Sequence, residues 1–516
     1  MDIRQILSLG QALEVDGIYI YEIDPPKYIK GRTSSIVGIV GEFERGPVGE
    51  VVRIGSAKAF RDTFGGYGVA PAGEEDTWDG FNGFKAVVGK LWPAGLRIVR
   101  PVYTDQLASA ADIDLVTHVP DPLTQGRTIT LTAKYKGAYG NRITATVNTA
   151  SDTSLTNGFR LTITLDGESQ TVDNLTAAMT TAEVTARFAA AGVTLVTAVM
   201  ADDAAAVKAS WPATSTLSGG AEGTTGLAAW TDAIDLLLAN REISILFASE
   251  PPDAVAEDGI NAYIKSAISP AGGAGVPVVA VLQGDAGDTI ATAAIEAALY
   301  RSDRIVYTWP WRKQVYAGAA STHESGKVVV PSNDVVAAAL AAIGPDHDVS
   351  GPEATSVINA ATVGLELADI TRDDYVTANA QGICALEFDP DLGFRVRTPI
   401  VTDLTPGKEL VYRRRMADYL EWSIAAALKY FAGQPMTEEW QDEVVGAITG
   451  FLDEAQRQNL LRNYSVDIES VNTDLNLAKG VFYILMKVQL FGIARSIVLM
   501  SQIGASVEIT ELDQTA

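Results

Sequence analysis

Cysteine and histidine are nearly absent from this 516-residue chain: Cys384 is the one thiol, and His118, His323 and His347 are the three imidazoles. A single cysteine excludes an intramolecular disulfide framework and any cysteine-based zinc knuckle. No HExxH pair occurs, so a histidine metal site would need distant residues to converge. Positive charge is also scarce, with 39 Lys and Arg against 64 Asp and Glu for a net charge of −25. Binding to a phosphate backbone runs on Lys and Arg releasing condensed counterions, so direct nucleic-acid binding is not expected.

Catalytic motifs are missing as well. The phosphate-cradling GxxxxGK(S/T) loop does not occur, and Gly65-Gly66-Tyr67-Gly68 and Gly272-Gly273-Ala274-Gly275 both miss the GxGxxG spacing and read as turns. Ser321, His323 and Glu324 lie together in sequence, but triads are assembled by the fold and no GxSxG elbow is present. The expectation is a protein that is not an enzyme, with no cofactor and no metal site. Glu74-Glu75-Asp76 and the pair Asp346 and Asp348 read as solvated loop acids rather than cation ligands. The longest apolar stretch, Gly480 to Met500, contains Lys487, Gln489 and Arg495. A central Lys or Arg costs about 2.5 to 3.5 kcal/mol in a membrane span, so the stretch is read as a buried strand. The opening residues show no basic region followed by an apolar one, which points to folding in a cytoplasm.

What is present is core-forming material: 47% of residues are hydrophobic and 20% charged, enough for roughly three or four domains. Gly17-Ile18-Tyr19-Ile20-Tyr21 is a β-branched and aromatic segment stopped by Pro25-Pro26. Ile36 to Gly41 is the nearly continuous apolar run of a strand covered on both faces. Val51 to Ile54 reads as a second strand, Ser56 as the N-cap of a short helix carrying Phe60 and Phe64, Phe81 to Leu91 as a helix, and Leu96 to Arg100 as a third strand. Between Leu107 and Gly223 the composition turns to Thr, Val and Ala, with alternating runs at Thr128 to Ala133, Ile143 to Val147 and Phe159 to Leu165 and a helix from Thr181 to Ala190. From Trp230 strands and helices alternate again, which favours a mainly parallel sheet with helices on its faces. Two long helical patterns follow, Leu410 to Phe431 and Thr437 to Leu461, then β segments at Val481 to Leu490 and at Ser506-Val507-Glu508-Ile509-Thr510. Arg413-Arg414-Arg415, the dense basic run, reads as a helix face meeting acids or solvent. Arg457 and Arg462 complement the dipole at the end of the second long helix.

These features, in this order, resemble the tail sheath proteins of contractile bacteriophages and related contractile injection systems. The likeness is carried by Gly17-Ile18-Tyr19-Ile20-Tyr21-Glu22, by Ile36 to Gly41 and Gly46-Pro47, and by the run Ile54, Ser56, Phe60, Phe64-Gly65. It continues through Leu96-Arg97-Ile98-Val99-Arg100, Ala133 to Asn141 (AKYKGAYGN), Leu217-Ser218-Gly219-Gly220, Arg413-Arg414-Arg415, Trp440 and Phe451-Leu452. Two departures are the degraded stretch Ala341 to Asp346 and the extra residues 1 to 16.

The resemblance implies a multidomain α/β protein. Residues 25–106 with 224–400 would form a discontinuous α/β domain of subtilisin-like topology, which is a likeness of fold and not of activity. Residues 107–223 would form an inserted β-sandwich-like, outward-facing domain, and 401–505 a C-terminal α+β domain facing the inner tube. Residues 1–24 and 506–516 would be arms, whose strands Gly17 to Tyr21 and Ser506 to Thr510 complete a neighbour's sheet. Arg457 and Arg462 would face the tube. The implied function is a virion subunit, assembled in the host cytoplasm, that stacks as hexameric rings on the tail tube in a metastable extended state and contracts for genome ejection. Its partners would be other copies of itself, the tube protein, and baseplate and tail terminator proteins, with no membrane insertion. The competing readings are an α/β hydrolase of unknown specificity, a capsid or adhesin subunit, and the sheath of a non-phage injection device.

Overall fold

The computed structural model describes residues 29, 31, 35–65, 95–116, 126–249, 257–269, 277–315, 327–361 and 370–494. Described residues from Gly31 to Ser423 form one compact unit and those from Ile424 onward belong to a second. The segments Gly17 to Tyr21, Phe81 to Leu91 and Ser506 to Thr510, together with His118 and the Ser321, His323, Glu324 group, lie outside the described residues.

The first unit begins with β1 (Val37–Val40), β2 (Val52–Ile54), α1 (Ala57–Phe64) and β3 (Leu96–Val99). Every residue of β1 is buried, as its VGIV sequence requires. The Ser56 hydroxyl accepts from the Ala59 amide at 3.1 Å, the capping bond expected from sequence. At the other end of α1, Gly65 takes φ +101°, a left-handed stop.

A β-rich insertion follows: β4 (Ala110–Val116), β5 (Arg127–Ala133), β6 (Thr144–Thr149), β7 (Gly158–Leu165), β8 (Glu168–Thr176), α2 (Thr181–Ala190), β9 (Val196–Asp202) and β10 (Ala213–Thr216). Its strands make two antiparallel sheets, ordered β10-β6-β7-β8 and β4-β5-β9. Their alternating apolar residues, Ile129 and Leu131, Val147, and Phe159, Leu161 and Ile163, share one core with Phe188 of α2. The helix spans the expected residues, and Thr180 and Glu183 form a reciprocal capping box at its start.

The chain then returns to the first sheet through α3 (Leu227–Ala239), β11 (Ile245–Ala248), α4 (Glu257–Ile268), β12 (Val279–Gln283), α5 (Ile290–Leu299) and β13 (Ile305–Trp309). After the hairpin β14 (Arg312–Val315) and β15 (Lys327–Val330) come α6 (Asn333–Ala342), α7 (Pro352–Ala361), α8 (Arg372–Gln381), β16 (Ile383–Asp389), β17 (Gly393–Val396) and α9 (Val411–Leu428). Eight strands form the sheet β17-β16-β13-β12-β11-β1-β3-β2. The six inner strands are parallel, and the edges β17 and β2 are antiparallel to their neighbours. Val37 and Ile39 point into a core with Phe60, Phe64 and α6, whereas Val40 points into the opposite core with α3, α4 and Ala293 of α5. The strand period of two thus builds both cores from one run of residues.

Helix α6 is buried from Asn333 to Ala341. Its alanines let the backbone lie close to the sheet, but a buried helix leaves its terminal amides and carbonyls without water. Charged side chains stand at both ends: at the amino end the Asp334 carboxylate accepts from the Val335 amide at 2.6 Å, and an arginine binds at each end. At the amino end the fully buried Arg312 grips Asp334 with two bonds of 2.6 and 2.7 Å and also donates to the Pro331 carbonyl. At the carboxyl end Arg415 donates to the carbonyls of Ile343 and Gly344 at 3.2 and 3.3 Å, and burial pulls its guanidinium down to about 10. The Arg413-Arg414-Arg415 run is accordingly an internal fastening. Arg413 pairs with Glu409 at 3.3 Å, and Arg414 meets Asp418 at 2.7 Å, Asp303 at 3.4 Å and Glu421 at 3.1 Å.

In the second unit, α10 (Glu438–Arg457) begins at Thr437, whose hydroxyl accepts from the Trp440 amide at 3.2 Å. It is followed by β18 (Asn463–Asp467), α11 (Asp474–Ala478) and β19 (Leu485–Gln489). Strands β18 and β19 pair antiparallel into a two-stranded sheet. The Gly480 to Met500 stretch is thereby corrected: within the described residues its strand is β19 alone, with Lys487 and Gln489 exposed and no residue fully buried. Lys487 and Gln489 stand two apart and so share a face, which the apolar content of the segment concealed.

Removing one partner of a buried, bidentate ion pair costs about 3 to 5 kcal/mol, because the survivor keeps an uncompensated charge. Arg312→Met is therefore expected to lower unfolding stability by roughly that amount, and adding Asp334→Asn should recover much of the loss. Chemical denaturation of the two variants checks this.

Candidate assembly surfaces

Two of the motifs that carry the family likeness, AKYKGAYGN and LSGG, meet where the insertion joins the eight-stranded sheet. The two connecting segments pair with each other through bridges at Thr104 and Thr224, Leu107 and Ala221, and Ala110 and Ser218. The Asn141 side chain exchanges two 2.9 Å bonds with the Gly220 backbone, and Ser109 donates to Asn141 Oδ1 at 2.8 Å. A Cβ at Gly140 would lie 2.5 Å from Ser109 Oγ, and one at Gly220 would lie 2.1 Å from the same oxygen. Gly140 and Gly220 of these motifs are thus spaces that Ser109 fills.

Charged groups lock the same neck. Glu222 accepts from Arg100 at 3.0 Å, from Gln106 at 3.1 Å and from the Ala138 amide at 3.1 Å. Arg142 bridges Glu44 at 2.6 Å and Asp166 at 2.7 Å, and the Arg45 guanidinium lies over the Tyr139 ring at 5.8 Å. Glu44 is 3% exposed at its side chain. Burial raises its carboxyl above the usual range, against the opposing pull of Arg142.

In the second unit, α10 buries Val444, Ile448, Phe451, Leu452 and Ala455. Its opposite side exposes Glu438, Glu439, Asp442, Glu443, Asp453 and Glu454. Gly446 and Gly450 lie on that side, and a Cβ on either would meet nothing within 4 Å. A glycine in an exposed helix interior costs about 1 kcal/mol relative to alanine, so two of them leave a costly, open, backbone-level strip. Sequence reasoning passed over this strip. The signal was two glycines four apart on the polar side of a helical pattern.

Of the two arginines expected to face a tube, Arg457 ends this helix and Arg462 follows it. Arg457 is exposed and already paired with Glu454. Arg462 is also exposed, makes no ion pair among the described residues, and uses its amide to donate to the Gln489 carbonyl at 2.8 Å. Beside them the β18 and β19 pair has no third strand among the described residues. A two-stranded sheet is marginal by itself, and both of its edges present backbone groups able to pair.

With this geometry established, the comparisons with known proteins are informative. No protein-family model and no curated protein matches the sequence. Solved structures do match in fold. The sheath tail protein of Desulfitobacterium hafniense superposes with a TM-score of 0.59 at 14% identity, covering 92% of this chain and 100% of that one. The sheath tail protein of Listeria innocua gives 0.55 at 14% identity, covering 90% and 97%. The contracted helical sheath of the anti-feeding prophage gives 0.52 at 14% identity, covering 95% and 99%. This chain has the fold of a contractile-sheath protein. That sheath fold is a mixed α/β architecture of several sheets, and among the described residues no helix is long and apolar enough to cross a membrane.

The neck yields a pH-dependent expectation. Arg142→Leu would remove the ion-pair partner of the buried Glu44 and leave it only the Arg45 charge, at a cost on the order of 3 kcal/mol at neutral pH. A carboxyl whose folded pKa is raised contributes stability below its unfolded value, and that stability is lost as pH rises through the folded value. The variant should thus be closest to the parent near pH 4 and furthest from it at neutral pH. Denaturant titrations across that range measure the difference.

Proposed function

We propose that the chain is the subunit of a contractile tail sheath, stacked as hexameric rings around an inner tube in a metastable extended state that contracts to drive the tube through the host envelope for genome ejection. In this reading residues 31–423 supply a rigid body of subtilisin-like topology carrying an outward-facing β insertion, and the region from Ile424 onward is the inner, lattice-forming part. The observation that carries the reading is the open-edged β18 and β19 pair in a chain whose sheath-like fold spans more than nine-tenths of its length. Gly17 to Tyr21 and Ser506 to Thr510 of neighbouring copies would add strands to that pair, so that main-chain hydrogen bonds become inter-subunit tethers. Work comes from the difference between two packings of the same bodies, with no nucleotide consumed and no catalysis by the subunit.

The exposed face of α10 would meet the tube protein, with Gly446 and Gly450 allowing close approach and Arg462 free to pair with tube carboxylates; the remaining partners would be baseplate and terminator proteins. A single exposed ion pair is worth about 0 to 1 kcal/mol, which suits a contact that is repeated along the tail and must break on contraction. The likeness extends to the sheaths of the anti-feeding prophage and of the PVC extracellular contractile injection system, at TM-scores of 0.52 and 0.51. A non-phage injection device is accordingly the second reading.

Deleting residues 1–24 or 503–516 should give a folded, near-monomeric protein with unchanged circular dichroism and no tubes in negative stain. Sheaths of ordinary length from either truncation would refute the strand-exchange account. At the tube face, Gly450→Ala should raise stability by up to about 1 kcal/mol, whereas Gly446→Leu with Gly450→Leu should block assembly on the tube and spare free polymerisation. Equal loss of both kinds of assembly would mean that this face does not meet the tube.

A further inference from the structure

At the carboxyl ends of β11 and β12 a small enclosed pocket is lined by Ser249, Glu257, Asn261, Gln283 and Asn333. Carboxyl ends of parallel strands are where open α/β sheets hold ligands. Three of these side chains present buried oxygen atoms that find no hydrogen-bond partner among the described residues: Ser249 Oγ, Gln283 Oε1 and Asn333 Oδ1. Their residues are 5%, 3% and 2% exposed. A buried acceptor left unsatisfied is costly, so three on residues lining one cavity call for an occupant that can meet them. The Asn333 amide cannot turn to relieve the deficit, because its nitrogen is committed to the Ala248 carbonyl at 2.8 Å. Asn261 is likewise committed, donating to the Gln283 main-chain carbonyl at 3.0 Å.

We infer that this pocket binds a sodium-sized monovalent cation, held by Ser249 Oγ, Gln283 Oε1 and Asn333 Oδ1 and balanced in charge by the Glu257 carboxylate. Neutral and anionic oxygens are the ligands of hard cations, and the set contains neither the imidazole nor the thiolate that selects transition metals. The amino ends of α4 and α6 both fall at this site; their positive dipole ends oppose any cation, a doubly charged one twice as strongly, so the Glu257 carboxylate is required to offset them. The cavity admits one particle about the size of a water molecule. Bound there, the ion joins β11, β12 and α4 to the buried helix α6. It thus belongs to the rigid body and does not depend on how copies of the chain assemble.

The test is thermal unfolding of the full-length chain at fixed protein concentration, in sodium chloride and in choline chloride of equal ionic strength. Sodium should raise the midpoint by on the order of a few degrees, through preferential binding to the folded state. Glu257→Gln preserves shape at a partly exposed position and should lose that increment while keeping its midpoint in choline. Gln283→Leu should lose it too, and if that variant fails to fold, Glu257→Gln decides alone. Equal midpoints in sodium and choline would mean that the cavity holds water and would overturn the assignment. A larger response to micromolar calcium than to sodium, abolished by Glu257→Gln, would overturn the monovalent charge.

Discussion

The arginine closure of helix α6 is the constraint on which the rest of the first unit depends. The two cores of this unit need a parallel sheet covered on both faces, and the helix that completes one face is itself covered on its outer side by α7. Its amino end is buried, so the Asp334 carboxylate accepts from the Val335 amide where water would otherwise serve. Arg312 neutralises that buried carboxylate, and Arg415 donates to the Ile343 and Gly344 carbonyls just past the other end. These arginines come from β14 and α9, which are distant in sequence, so the closure also ties the late part of the chain to the centre of the sheet.

A body fastened in this way suits a part that moves as a whole. The insertion is joined by two paired segments, and Glu222 and Arg142 each reach across the join, so its orientation is held by several bonds instead of one flexible linker. The second unit is built differently. Its strands β18 and β19 are partly exposed, its helix face is open at two glycines, and its charged groups are solvated. In the proposed polymer, the open edges of β18 and β19 in the second unit would be completed by other chains.

Much of the fold was legible in the sequence because buried parallel strands are short, almost wholly apolar runs. Val37 to Val40 and Ile245 to Ala248 could hardly be anything else. Helix α2 spans the expected Thr181 to Ala190, and the structure shows why it starts there: Thr180 and Glu183 cap it locally. Gly140 and Gly220 were visible as letters, but their reason, the Ser109 hydroxyl filling the space above them, depends on residues about thirty and one hundred and ten positions apart. Arg414 has one partner four residues away and another at Asp303, and only the first could be guessed from helical spacing. The polar pocket was invisible for the same reason: Ser249, Gln283 and Asn333 look like ordinary loop residues until the sheet brings the strand ends together.

The central claim is that this chain is complete only in a polymer, where neighbours add strands to the β18 and β19 pair. A helical reconstruction by electron cryomicroscopy of tubes grown from the full-length protein addresses it directly, through the number of strands in that sheet and the copy from which each one comes. The account predicts additional strands on β18 and β19, contributed by residues 17–21 and 506–510 of other subunits. A sheet that remains two-stranded, or that is extended by its own subunit's termini, would contradict it.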